Sequence, residues 1–256
     1  MSSEGEPIIL ASSMDFSPER RMRPSRSLCV IAASLAVLLA GASRAATETP
    51  QVTTGVRLGW LSTTGAAREI LTTGAPEPEG YVEVARSSSP FSLEASLSGY
   101  SLTGTESGSG IYSRSAFPIG YAFIQDMVVV PLRLTLKFGP RGDHFSAHVG
   151  VGFGGVLTDL RRALSFTDPN AQASFGQTTE NETIGLETHV QLGADWRIGN
   201  NIGAGLLARW SDAPSTVALY RGYQGSTSAS GAVFSESHSA GNVSGLFIGA
   251  SGWWRF

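Results

Sequence analysis

The chain is 256 residues long, 15% charged and 41% hydrophobic, with 31 glycines, 12 prolines and a formal net charge of −3. A mean hydropathy of +0.03 excludes a bundle of membrane-spanning helices, and the lack of a clustered Lys/Arg stripe leaves no electrostatic footprint for nucleic acid. Two classes remain: a soluble domain, and a transmembrane barrel whose strands turn one face to lipid and the other to a polar interior.

In chain order, residues 1–21 carry Glu4, Glu6, Asp15 and Glu19 and are expected to be a non-native or disordered extension, with Met22 as the true start. Residues 28–40 read LCVIAASLAVLLA, an uncharged apolar run too short to span a bilayer as a helix. Arg21, Arg23 and Arg26 precede it, and Ala42, Ser43 and Ala45 follow. That pattern predicts a signal peptide over 22–45, cut between Ala45 and Ala46. The only cysteine, Cys29, lies inside it, so the mature part, 46–256, holds no disulfide.

Beyond Ala46 the recurring signal is alternation with period two, the mark of a strand with one apolar face. Val52, Thr54, Val56, Leu58 and Trp60 form the first such face. Val82 and Val84 mark a short second strand over 81–86, and Phe91, Leu93, Ala95 and Leu97 a third. The clearest is the fourth, from Val128 through Val130, Leu132, Leu134 and Leu136 to Phe138. Phe145 to Phe153, Ile184 to Trp196, Ile202 to Trp210 and Leu246 to Phe256 complete eight strands.

The connections over 87–90, 139–143 and 199–201 are short and built from turn residues. Those over 62–80, 103–126, 157–181 and 211–242 are expected to be long polar loops. Sorting short turns to one end and long loops to the other is expected of a barrel in a membrane. Threaded from a periplasmic N-terminus, Phe91, Phe138, Phe145, Trp196, Trp254 and Phe256 fall near the short-turn end, and Trp60 and Trp210 near the other. Two aromatic rings on the apolar face are what lipid interfaces favour.

The last strand, ending Gly252-Trp253-Trp254-Arg255-Phe256, resembles the C-terminal signature of outer-membrane proteins. The segment from Val130 to Phe138, running on to residues 148–153 (HVGVGF), is similar to the central hairpin of small OmpA/OmpX-like and OmpW-like barrels. The resemblance implies an all-β, eight-stranded antiparallel up-and-down transmembrane barrel in a Gram-negative outer membrane. It also implies lipid as surroundings, and recognition of Trp254 and Phe256 by the barrel-assembly machinery. A monomer without cofactor or metal is expected.

The same parity turns Arg57, Glu94, Arg133, Glu187 and Arg209 into the lumen, where an unpaired charge costs several kcal/mol. They are expected to pair across strands as a packed polar network. Inward glycines such as Gly150, Gly152, Gly154, Gly203 and Gly205 leave room either for Trp253, Phe247 and the arginines or for a narrow passage. No histidine falls on a lipid-facing position, and Ser235-Glu236-Ser237-His238-Ser239 reads as a loop rather than a catalytic set. The expected function is non-enzymatic, a structural or surface-interaction role carried by long extracellular loops. The alternatives are a narrow, porin-like channel for small or hydrophobic solutes and, third, a lipid-modifying enzyme.

Overall fold

The computed structural model describes residues 50–256 except 65–66, 69–70, 87–88, 112–117, 169–172, 214–216, 229–230 and 242. Among the strands it describes only the backbone of 106–121, 123, 164, 166–177 and 217–241. The expectations for the extension and the signal peptide fall outside the described residues.

The described residues form eleven strands in order: β1 (Gln51–Thr63), β2 (Gly74–Ala85), β3 (Phe91–Ser98), β4 (Tyr100–Ile111), β5 (Pro118–Phe138), β6 (Phe145–Asp168), β7 (Ala173–Arg197), β8 (Ile202–Asp212), β9 (Val217–Ser228), β10 (Gly231–Gly241) and β11 (Gly245–Arg255). Nine of them form one antiparallel sheet in the order β3-β2-β1-β11-β8-β7-β6-β5-β4, and β3 also pairs with β5. That last pairing, from Phe91↔Phe138 to Leu97↔Leu132, closes the ring. β4 continues along the same partner, from Tyr100↔Val129 to Ile111↔Pro118. β3 and β4 are therefore one strand interrupted at Gly99, and the ring has eight staves. β9 and β10 form a separate hairpin.

Closure matters because a backbone N–H or C=O left unpaired in hydrocarbon costs several kcal/mol. The side chains obey the same logic with inside and outside exchanged relative to a soluble domain. Val56, Leu58 and Trp60 face out from β1, while Arg57, Leu61 and Thr63 are buried. On β5 Leu136 and Phe138 face out, and Arg133, Thr135 and Lys137 are buried. The apolar outer face of β5 runs from Phe138 to Val128. That is about 33 Å along a strand at about 3.3 Å per residue, or about 25 Å across a bilayer at a tilt of about 40°.

Above this band the outer face becomes charged within two residues. Val130 pairs with Leu157 and Leu157 with Ile184; next come Val128, Asp159 and Glu182; next Asp126, Arg161 and Glu180. The rows mark the lipid boundary. The two aromatic rings lie at the ends of the band. Phe91 packs on Phe138 with centroids 5.1 Å apart and Phe145 on Trp196 at 5.5 Å, and Trp60 and Trp210 are exposed at the opposite end.

The long-loop expectations need correction. β2 begins at Gly74 rather than at Tyr81, so part of the supposed 62–80 loop is strand. The segments 103–126 and 157–181 are largely the upper parts of β4, β5, β6 and β7, and 211–242 holds the β9–β10 hairpin. These stretches stand outside lipid, so neither face needs to be greasy, and the apolar alternation that marks the membrane part is lost while the main-chain ladder continues. The β6–β7 ladder reaches Asp168↔Ala173, whereas β8 leaves β7 at Thr188↔Asp212. Four strands thus continue past the ring as a protruding sheet with β7 along one edge.

The ladder between β2 and β3 stops at Glu79↔Ser98. Pro78 accepts a hydrogen bond from Gly99 N–H at 3.4 Å and Thr103 accepts one from Thr72 N–H at 2.9 Å. In an antiparallel ladder a residue turns its C=O and N–H to the same neighbour, so the donors missing at Pro76 and Pro78 face β4. Proline is tolerated here because this side carries no ladder, and the facing outer residues Ser101, Thr103 and Thr105 are polar and exposed.

Candidate functional site: the barrel interior

The interior is built in layers. At mid-depth the five sequence-predicted lumen residues Arg57, Glu94, Arg133, Glu187 and Arg209 come together, all buried. Arg57 donates to both oxygens of Glu94 at 2.8 and 2.5 Å and also to Glu79. Arg133 donates through Nε to Glu187 at 2.6 Å and through Nη1 to Glu77 at 2.8 Å and Glu79 at 3.2 Å. Arg209 donates to Glu77 at 2.7 Å and to Glu79. Ser98 Oγ donates to Glu77 at 2.6 Å. Strands β1, β2, β3, β5, β7 and β8 are tied across the lumen by these bonds.

Glu77 and Glu79 are the hubs, and sequence reasoning missed both. Pro76 and Pro78 made the segment read as loop. The available signal was the odd-numbered face Glu77, Glu79, Tyr81 and Glu83, which alternates with Pro76, Pro78, Gly80 and Val82. Aromatic rings complete the surroundings of the arginines: the Arg57 guanidinium lies 3.8 Å from the Tyr81 ring centroid and that of Arg209 4.7 Å from Phe247.

Above the charged belt the inner face turns apolar. Leu102, Met127, Val129 and Phe247 have no exposure at all, and Leu61, Val156 and Leu160 join them. Two connections contribute to this core, one through Ala67 and Leu71, the other through Ala213 and Val243. Inward glycines supply the room: a Cβ on Gly59 or Gly249 would collide with the Phe247 ring, and one on Gly203 with the Trp253 indole. Below the belt, Lys137 donates to Glu83 at 2.6 Å and Glu94 at 3.1 Å, and Arg141 to Glu83 at 3.1 Å.

His148 and His189 face inward, His189 Nε2 lying 2.8 Å from Thr135 Oγ1, and His144 is exposed in the turn between β5 and β6. The side chains of Ser235, Ser237 and His238 lie outside the described ones. Among the described residues no group of three His, Cys, Asp or Glu is placed to hold a metal ion. Trp254 and Phe256 are exposed at the end of the last strand.

A closed antiparallel ring with lipid-compatible outer residues and an ion-paired interior defines a transmembrane β-barrel. In fold the chain resembles small outer-membrane β-barrel proteins. A major outer membrane protein from Thermus thermophilus shares 12% identity at a TM-score of 0.42, over 82% of this chain and 100% of that one. Neisserial surface protein A shares 9% at 0.39, over 81% and 97%. Ail, the attachment invasion locus protein of Yersinia pestis, shares 11% at 0.39, over 82% and 100%. No family model and no curated protein matches the sequence. The fold rests on the hydrogen-bonded ring itself.

Proposed function

We propose that this chain is a non-enzymatic outer-membrane protein, a sealed barrel that anchors a protruding β-sheet for structural or surface contacts. The observation that carries this reading is the interior, where among the described residues an ion-pair belt is topped by a buried apolar layer that favours a sealed barrel over a passage. A barrel of eight strands is just wide enough for its own side chains, and here they fill it. The exposed end of the last strand, Trp254 and Phe256, is the segment offered to the barrel-assembly machinery, and the protein works as a monomer in lipid.

The test is planar-bilayer conductance of the refolded mature protein, with heat-modifiable gel migration to certify the barrel. The expected record shows no sustained single-channel steps. Regular, reproducible steps from the heat-modifiable form would instead establish the narrow channel for small or hydrophobic solutes. New lipid A species in an overexpressing strain would establish the enzyme.

A further inference from the structure

One seam of the ring wall is built from proline. Where β2 meets β4, Pro78 accepts a hydrogen bond from Gly99 N–H at 3.4 Å, but proline has no N–H with which to return one to the Gly99 carbonyl. Glu79 pairs with Ser98, and carrying that pairing on sets Pro76 opposite Ser101, whose carbonyl meets the same lack. The next residue turned toward β2, Thr103, has its carbonyl satisfied by Thr72 N–H at 2.9 Å. Two neighbouring acceptors on one strand edge, the carbonyls of Gly99 and Ser101, thus face prolines that cannot donate.

The seam lies at the upper edge of the lipid band. On its other side Pro78 pairs with Leu58, and Pro76 with Trp60 of the upper aromatic ring, so the Gly99 carbonyl sits at hydrocarbon depth and that of Ser101 at the interface. An unmet carbonyl is costly where water is scarce. The outer wall is also bare here. Gly99 has no side chain to cover its own carbonyl, and on Gly80, one row below, a Cβ would meet nothing within 4 Å. Gly80 pairs with Val56 and Leu97, both exposed, and its missing side chain leaves a slot between them. Above the seam Ser101 and Thr103 are exposed, and Asp126, also exposed, pairs with Thr103. Arg161, beside Asp126 on β6, is held by Asp159 at 3.5 Å and Glu180 at 3.7 Å.

We propose that this seam binds one membrane lipid whose headgroup carries a primary ammonium. An ammonium has three N–H donors and no acceptor, the complement of two carbonyls that face no donor, and its charge is drawn to Asp126. One acyl chain of the same lipid lies in the slot over Gly80. A trimethylammonium headgroup has the charge without the donors, and a glycerol headgroup has hydroxyl donors without the charge, so neither matches both features. The site rests on the reading of the chain as a barrel in lipid and leaves the interior untouched.

The protein refolded in uncharged maltoside micelles is mixed with equal amounts of dioleoyl phosphatidylethanolamine, phosphatidylcholine and phosphatidylglycerol, and the retained lipid is identified by native mass spectrometry. Heat-modifiable migration is checked first: its loss in the unaltered protein sinks the barrel reading, whereas a certified barrel without lipid preference sinks only this inference. One phosphatidylethanolamine per barrel is expected, favoured by about tenfold over either other lipid, as suits hydrogen bonds from a charged donor. Pro76→Val with Pro78→Val supplies the two missing N–H groups and should abolish the preference. Asp126→Asn should weaken it, and Glu182→Gln, exposed on β7, should leave it unchanged. If the proline variant loses heat-modifiable migration, Gly80→Leu takes its place, since it fills the slot from a position open to the outside, and should remove the retained lipid. Equal retention of the three lipids, a preference for either of the others, or phosphatidylethanolamine retention undiminished by the seam variant overturns the proposal.

Discussion

Glu79 accepts hydrogen bonds from three guanidinium groups, those of Arg57, Arg133 and Arg209. A buried charge held this way behaves asymmetrically on mutation: removing one member leaves the others uncompensated, whereas removing a matched pair does not. Arg133→Met is expected to lower unfolding stability in detergent by about 3–5 kcal/mol, read from the urea midpoint. Adding Glu187→Met to it should recover part of that loss, because Glu187 bonds Arg133 through Nε. Glu182→Gln, on the exposed outer row, should change stability by less than about 0.5 kcal/mol. The five lumen residues named from sequence were legible because Arg57, Glu94, Arg133, Glu187 and Arg209 each occupy the intervening place in a strand of alternating apolar residues. Glu77 and Glu79 were not, because proline carries a turn signal so strong that it hid a strand edge where proline does no harm.

At the scale of strands, the membrane-spanning parts were readable and their extensions were not. Val128 to Phe138 announces itself because lipid demands an apolar residue at every second place. Residues 157–181 show no such demand, yet they pair as β6 and β7 through ordinary main-chain hydrogen bonds. Pairing outside lipid is settled by continuity with the ladder below and leaves little trace in composition. Unequal protection within β7 follows from its partners. Amides that face β8 over 188–197 are bonded to that neighbour, whereas among the described residues those facing the same way over 178–186 meet no ladder partner. Hydrogen exchange in micelles should therefore be faster over the second stretch; equal protection would show that another segment covers the edge. Pro76→Val with Pro78→Val restores two donors facing β4, and the expected result is slower exchange at Ser101 and Thr103.

For the molecule as a whole, the sidedness follows from the two ends of the ring. The turns at Gly139–His144 and Gly199–Asn201 are short, and the opposite end carries the protruding sheet. Because residues 46–256 contain no cysteine, single cysteines can map this part on intact cells. Thr178→Cys, exposed on the sheet, should react with an impermeant maleimide directly, and Asn200→Cys only after the envelope is opened; the reverse labelling would invert the barrel. Along β5 the inward side chains change from Lys137, Thr135 and Arg133 to Val129 and Met127, while the outward ones change from greasy to charged at nearly the same height. Sliding the staves vertically would drag guanidinium groups into the hydrocarbon-like plug and aliphatic ones among the carboxylates, so the protein's depth is keyed from within as well as by its surroundings. Placed in thicker or thinner bilayers, the barrel should keep its own height and oblige the neighbouring lipids to stretch or compress around it.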